Sequence, residues 1–444
     1  MKNDTLLIKN GTIVTLGEKN RVLERRDLLC EDGKIKKIGP SGSFKGKYRK
    51  VIDASGKVVM PGFINAHMHF YSTLVRGLGK AAPSKDFQEV LHNLWWRLDK
   101  KLSLEDSYYS ALIPLIDAVR SGTTTLIDHH ASPFACRGSL DRIAQAVKEV
   151  GLRASLCYEL SDRDGDKAAQ DGIDENAEFI RRCKTEGGDQ FRALFGLHAA
   201  FTLTDATLQR AADAARQLGT GVHVHVAEAV SDQEYNKRKH GLSVVERLNR
   251  FGVLNPRGIV AHCVHVDERE REILASSGVA VVHNPQSNLN NAVGIADVLS
   301  LMRHGALVGL GTDAMTVNMR EEVRVALWAQ HLRQNNPSCG FVEMLSTLLF
   351  NNPKIASRHW GIALGVLEAG AAADIVLLDY EPPTPFDEWT FLGHFAFGLT
   401  QARVDTTIAA GRVLMENKRL KLDLDEAEVC AKSRELAKKL WARF

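Results

Sequence analysis

"FINAHMH", residues 63–69, closes an apolar run on two histidines one residue apart. In a strand, residues two apart share a face, so His67 and His69 project together. Two imidazoles aimed the same way at a strand end suit adjacent ligands of one metal ion, or two polar residues at the mouth of a loop. The rest of the chain decides between them. Seven more apolar, strand-like runs follow, at 122–130, 152–159, 191–202, 220–228, 258–266, 279–288 and 306–314. Helical patterns separate them. "TDATLQRAADAARQLG" has Thr204 at its cap, Leu208, Ala211, Ala212, Ala215 and Leu218 on one face, and Gly219 at its close. "DEREREILASSG" carries a capping box, Asp267 with Glu270. Eight β-then-α units over roughly 250–300 residues predict an α/β fold, a (β/α)8 TIM-like barrel of parallel strands. An open, doubly wound sheet is the alternative.

The two ends of the chain have a different texture. Hairpin signals stand at Asn10-Gly11 and Asp32-Gly33, with a glycine turn at Gly56. β-rich sequence returns in "ADIVLLDY" (373–380) and "VDTTIAAGRVLM" (404–415), turning at Ala410-Gly411. The expected organisation is a small β domain assembled from residues 1–58 and 365–420, around a barrel of residues 59–364. An amphipathic helix at 421–444, with Val429, Leu436 and Leu440 near one face, docks on its own chain or a partner.

Bulk properties exclude several functions. Of 444 residues, 44% are hydrophobic, enough for a large core, and Lys+Arg 57 against Asp+Glu 54 leaves a net charge of +3. The short basic stretches "KIKK" (34–37) and "KGKYRK" (45–50) read as solvated surface, so no nucleic-acid partner is expected. No uncharged apolar run approaches the roughly 18 residues of a membrane span, and the first ten residues lack a signal peptide's apolar core. Seven scattered cysteines without a C-x-x-C pair suit buried thiols in a reducing cytoplasm, Cys263 among them. There is no H-E-x-x-H, no P-loop and no H-x-E…P-C-x-x-C pattern. "GLGKAA" (77–82) is followed by Pro83 and sits outside any βαβ unit, so it is not a dinucleotide fingerprint.

Histidines 67, 69, 198, 223, 225, 262, 265 and 283 gather where the predicted strands end, the side of a barrel on which function sits. The order "HMH", "HVHVAE", "AHCVH", "GTDA" is set among "VMPGFINAHMH", "SGTTTLID", "HNPQSNLNNAVG" and "EAGAAADIVLLD". Together these motifs resemble the amidohydrolase superfamily over nearly the whole chain. The likeness is greatest to its deaminase and triazine chlorohydrolase branch, and within that to SsnA-type aminohydrolases. The resemblance implies a barrel with a small β-sandwich built from both ends. It also implies one divalent metal on His67, His69, His225 and Asp313. Three neutral imidazoles and a carboxylate suit zinc, or else ferrous iron, provided a position stays open for water. His225 is preferred to His223 because the family's metal histidine stands three residues before an acid, here Glu228. His223 then lies one layer deeper. No lysine ends strand four, so a carboxylated lysine bridging two metals is not expected.

In the roles the resemblance implies, Asp313 takes the proton of the attacking water and passes it to the departing group. Glu228 protonates the ring nitrogen, and His262 steadies the nucleophile and the oxyanion. His265 packs locally. His198 contacts the substrate ring, although "HAAFTL" departs from the commoner Pro and Tyr. Asn288 and Asn290 end strand seven, and relatives often carry a lysine where Asn290 stands, which favours a neutral ring here. Trp96, with Trp95, roofs the pocket or packs on a helix. Asp128 orients its neighbours, and His129 and His130 receive no role. The expected protein deaminates a small purine-, pterin-, pyrimidine- or triazine-like heterocycle, releases ammonia, and forms a homo-oligomer. Dechlorination or cyclic-amide opening at the same site, and a scaffold without chemistry, are the competing readings.

Overall fold

All eight predicted central strands form. In a computed structural model describing residues 4–444, the N-terminal stretch supplies β1 (Thr5–Val14), β2 (Val22–Glu31), β3 (Lys34–Pro40), β4 (Lys50–Asp53) and β5 (Lys57–Pro61). The centre supplies β6 (Phe63–Met68), β7 (Thr123–His130), β8 (Arg153–Tyr158), β9 (Phe191–Ala193) and β10 (Phe195–Ala199). It continues with β11 (Val222–Val226), β12 (Ile259–His262), β13 (Ala280–His283) and β14 (Leu307–Leu310). The C-terminal stretch adds β15 (Ile375–Asp379), β16 (Arg403–Ala409), β17 (Arg412–Glu416) and β18 (Arg419–Leu420).

The two ends meet in one nine-stranded sheet, ordered β18-β17-β16-β15-β5-β1-β2-β3, with β4 on β1. The join is the antiparallel pair β5–β15, in which Val59 faces Leu377. Asp32-Gly33 and Ala410-Gly411 turn hairpins as expected, with both residues of each pair at positive φ. Asn10-Gly11 does not. It lies inside β1, where the register with β2 breaks between Ile8 and Gly11. A Cβ on Gly11 would stand 2.6 Å from Val59 Cγ2, so the glycine serves close packing and a bulge, not a hairpin.

The central strands are parallel and fall into two sheets, β6-β7-β8-β9 and β10-β11-β12-β13-β14. The predicted run 191–202 is broken at Leu194, so β9 and β10 belong to different sheets. At each seam between the sheets a buried asparagine amide, reaching in from a helix, supplies the hydrogen bonds that a regular ladder would. Asn176, on the helix Asp166–Glu186, accepts from the Tyr158 and Gly196 amides at 2.9 and 3.1 Å and donates to the Tyr158 carbonyl at 2.9 Å. Asn352, on the helix Asn352–Trp360, accepts from Leu310 N at 2.8 Å and donates to the Ile64 and Leu310 carbonyls at 2.7 and 2.8 Å. Beside it, the Thr312 and Asp313 amides donate to the His67 carbonyl.

The predicted caps hold. Thr204 Oγ1 accepts from Thr207 N, and Asp267 and Glu270 close a reciprocal box. The terminal helix, Glu426–Arg443, docks on its own chain with Val429, Leu436 and Leu440 buried, and Trp441 Nε1 donates to the Leu74 carbonyl at 2.7 Å. Among the described residues no helix is long and apolar enough to cross a membrane. All seven cysteines are free thiols.

Each seam asparagine pairs with backbone groups of the strands on both sides of its seam. Asn352→Ala and Asn176→Ala should each cost about 2–4 kcal/mol in the free energy of unfolding, read by urea denaturation, because buried backbone groups lose their partners.

Candidate metal centre and active site

His67 and His69 leave the end of β6, His225 lies in β11, His262 ends β12 and Asp313 follows β14. The strand ends here are strained. Ala227, His262 and Asp313 adopt φ of 46°, 75° and 53°, a region that non-glycine residues enter at a cost of about 1–3 kcal/mol. That cost turns the side chains of adjoining strands toward one point.

Hydrogen bonding fixes which nitrogens face that point. His69 Nδ1 is 2.5 Å from the His129 carbonyl and His225 Nδ1 is 2.9 Å from the His198 carbonyl. A carbonyl only accepts, so both Nδ1 atoms carry a proton, and in the neutral rings both Nε2 atoms present lone pairs. Those two Nε2 atoms lie 3.2 Å apart. Asp313 Oδ1 adds a third acceptor, 2.8 Å from His69 Nε2 and 3.5 Å from His67 Nε2, and the latter is buried without a hydrogen-bond partner. Converging lone pairs repel one another, and a cation relieves the repulsion, either a second proton on His69, whose pKa Asp313 and Glu159 raise against the effect of its burial, or a metal ion. His67, His225, His262 and Asp313 place one ligand atom each within 4.8 Å of one another, as do His67, His69, His129 and His225. The donor set fits a borderline divalent ion.

The layer behind these residues is built to hold them. His223 lies deeper, its Nε2 2.9 Å from His67 Nδ1, and stacks on His129 with centroids 4.5 Å apart. Asp128 accepts from Phe70 N at 2.7 Å and so ties down the turn after β6. Ser287 Oγ donates to Asp313 Oδ2. His130 bonds Ser132, and His265 bonds the Val293 carbonyl, away from the centre.

Glu228 and His262 sit on the opposite flank. Burial, reinforced by the charges of Asp313 and Asp232, pushes the Glu228 carboxyl well above the usual carboxylate range, so it keeps its proton near neutrality. Burial likewise holds His262 neutral. Asn288 Nδ2 donates to His262 Nδ1 at 2.8 Å, which leaves the proton on Nε2, 3.5 Å from Glu228 Oε2 and 3.9 Å from Asp313 Oδ2. Asn288 therefore acts on His262 from behind and does not line the pocket, where a substrate contact had been expected.

A pocket opens over these groups, lined by His69, His198, His225, Glu228, Asn290 and Asp313 among others. Trp95, not Trp96, walls it. Trp96 faces the adjoining outer groove, its ring 4.4 Å from that of His92 with the Arg163 guanidinium 4.9 Å over it. The helical turn between them points one indole each way, a choice the sequence "LWW" does not reveal. Four polar pocket residues escaped the sequence reading: Tyr71, Glu159, Asp232 and Ser287. Glu159 had a signal, an acid at the end of the third predicted strand, in the place where the other strands carry site residues.

Residues 58–414 match the Amidohydrolase family. The chain belongs to that family. It is 33% identical over 446 residues to the 5-methylthioadenosine/S-adenosylhomocysteine deaminase of Desulforudis audaxviator, covering 98% of this chain and 99% of that one. It is 31% identical over 442 residues to the 5'-deoxyadenosine deaminase of Methanosarcina mazei, covering 99% of each. In fold it is similar to a zinc-bound adenosine deaminase from Xanthomonas campestris, with a TM-score of 0.86, 24% identity and 98% of each chain covered. This amidohydrolase acts on carbon–nitrogen bonds outside peptides, and the expected reaction class, hydrolytic deamination of a heterocycle, is the one its relatives carry.

If Asn288 sets the tautomer of His262, Asn288→Ala should lower kcat about 10- to 100-fold while KM moves less than about twofold, in steady-state assays with metal content checked.

Proposed function

We propose that this amidohydrolase removes the exocyclic amino group of an adenine-type nucleoside, using one divalent metal, zinc, held by His67, His69, His225 and Asp313. The observation that carries the reading is the set of imidazole Nε2 atoms and the Asp313 carboxylate crowded onto one point beside Glu228, whose carboxyl burial holds in its acid form. A bound metal supplies water activated at neutral pH. Asp313 accepts the proton released as that water attacks the amidine carbon. Glu228 gives its proton to the neighbouring ring nitrogen, so the ring accepts electrons without building up an anion. His262 donates its Nε2–H to the oxygen that develops negative charge. Asp313 then passes its proton to the amino group, the C–N bond breaks and ammonia leaves, and the hydroxyl left on the attacked carbon returns its proton to Glu228, which leaves a carbonyl and restores the acid.

A nucleoside fits better than a bare ring because the pocket adjoins an outer groove, lined by Trp96, Arg163 and Tyr235 among others, with Phe201 as their shared wall. The nucleoside deaminases among the relatives support the same class. For the architecture, we read the two parallel sheets as one (β/α)8 barrel of residues 59–364, closed at the seams that Asn176 and Asn352 bridge. We read residues 1–58 and 365–420 as a composite β-sandwich, and residues 421–444 as a helix that packs its Leu440 against Tyr71, Leu74, Leu98 and Leu102.

Purified protein should carry close to one equivalent of zinc per chain, and zinc-loaded protein should release ammonia from adenosine-type substrates ahead of pterins, pyrimidines and triazines. Chloride release from a chlorotriazine, or ring opening without ammonia, would overturn the reading. Glu228→Gln should lower kcat/KM about 100- to 10,000-fold with zinc retained. Because the pKa of Glu228 is raised and its acid form is the active one, wild-type kcat/KM should persist through neutrality and fall at alkaline pH, a limb that the residual activity of Glu228→Gln lacks.

A further inference from the structure

Glu159 is 2% exposed at its side chain, follows β8, and lines the pocket beside His198. The groups around it offer its carboxylate no proton. His69 Nδ1 lies 3.1 Å from Oε1, but its hydrogen is directed at the His129 carbonyl, and Oε1 has no hydrogen-bond partner among the described residues. His129 Nδ1 is 3.8 Å away, too far to donate. Arg163, whose charge acts on Glu159, directs Nη2 at Asp99 at 2.7 Å and Nε at Ser161 at 3.0 Å, and its Nη1 makes no hydrogen bond to Glu159.

His198 does not donate to it either. Thr202 has one hydroxyl hydrogen and gives it to the Ala199 carbonyl at 3.0 Å, so the 2.9 Å contact between His198 Nδ1 and Thr202 Oγ1 is a bond in which the imidazole donates. The proton of neutral His198 is thereby on Nδ1, and Nε2 is an acceptor, 3.9 Å from Glu159 Oε2. Two acceptors stand side by side on the pocket wall with no hydrogen between them.

We infer that Glu159 and His198 form an acceptor pair that selects substrates presenting two adjacent N–H or O–H donors. The inference rests on the reading of this pocket as the substrate site and adds what the substrate must carry. Such donors come from the vicinal diol of a ribose or from an amino group on the ring. A substrate without them strips water from a buried carboxylate and returns nothing, which is how a site built for hydrogen bonds rejects an analogue that lacks them. An anionic substituent is rejected more strongly, in agreement with the amide of Asn290 on the pocket rim.

The test uses the zinc-loaded full chain and two pairs of compounds, adenosine against 2',3'-dideoxyadenosine for the diol and 2,6-diaminopurine against adenine for the ring amino group. Wild type should favour the donor-bearing member of one pair by about 100-fold or more in kcat/KM, and that pair identifies the source of the donors. Glu159→Gln should bring the ratio below about fivefold by weakening the donor-bearing member alone, and Glu159→Asp should restore part of it, with zinc content equal in all three proteins. Calorimetric binding of the same four compounds reads the preference without chemistry, and so separates this inference from the proposed reaction. Absence of turnover with a preserved binding preference would sink the reaction and spare the acceptor pair. Wild-type ratios below about fivefold in both pairs, a ratio that Glu159→Gln leaves intact, or no binding of any of the four would overturn the acceptor pair itself.

Discussion

The Nε2 lone pairs of His69 and His225, 3.2 Å apart with the Asp313 carboxylate against them, are the interaction on which the rest of the structure depends. Left to themselves these groups would separate. They are held together because each imidazole is anchored at its far nitrogen by a backbone carbonyl, of His129 for one and His198 for the other. Those carbonyls belong to neighbouring strand ends, so the geometry of the site is the geometry of the parallel sheets. An error of one residue in register would turn either imidazole away.

That dependence gives the seams their importance. His67 and His69 lie on one parallel sheet, His225, His262 and Asp313 on or just beyond the other. Between the sheets the ladder thins to single bridges, Met68 with Asp313 and Leu160 with Leu197. Asn352 and Asn176 make up the shortfall, each offering a donor and an acceptor from one planar amide, as a peptide group would. The buried polar cost at the seams is offset by hydrogen bonds, and the site receives a fixed frame.

The same economy of protons distinguishes the two flanks of the pocket. On the Glu228 side a carboxyl retains its proton because burial and neighbouring negative charge disfavour losing it, and His262 points an N–H inward. On the Glu159 side both polar groups are acceptors. One flank is arranged to give hydrogens and the other to receive them, so a substrate is oriented by its own donor pattern before any bond changes.

Much of this was legible from sequence. The eight central strands and the capped helices announce themselves because hydrophobic period and cap chemistry are local. The family motifs carried His67, His69, His225, Glu228, His262 and Asp313 to one place. Other features depended on neighbours distant in the chain. Asn10-Gly11 spells a hairpin locally, yet Val59 from another strand makes it a bulge. Trp95 and Trp96 are indistinguishable as letters, and the turn of the helix assigns one to the pocket and the other to the groove. Asn288 met His262 and not the pocket. Glu159, Asn176 and Asn352 gave little warning, because what matters about them is which carbonyls, amides and imidazoles surround them. The sequence alone determined the residue types and the period that brings them to strand ends. The tertiary structure decided which nitrogen of each imidazole holds a proton, because that choice is made by partners contributed from other strands.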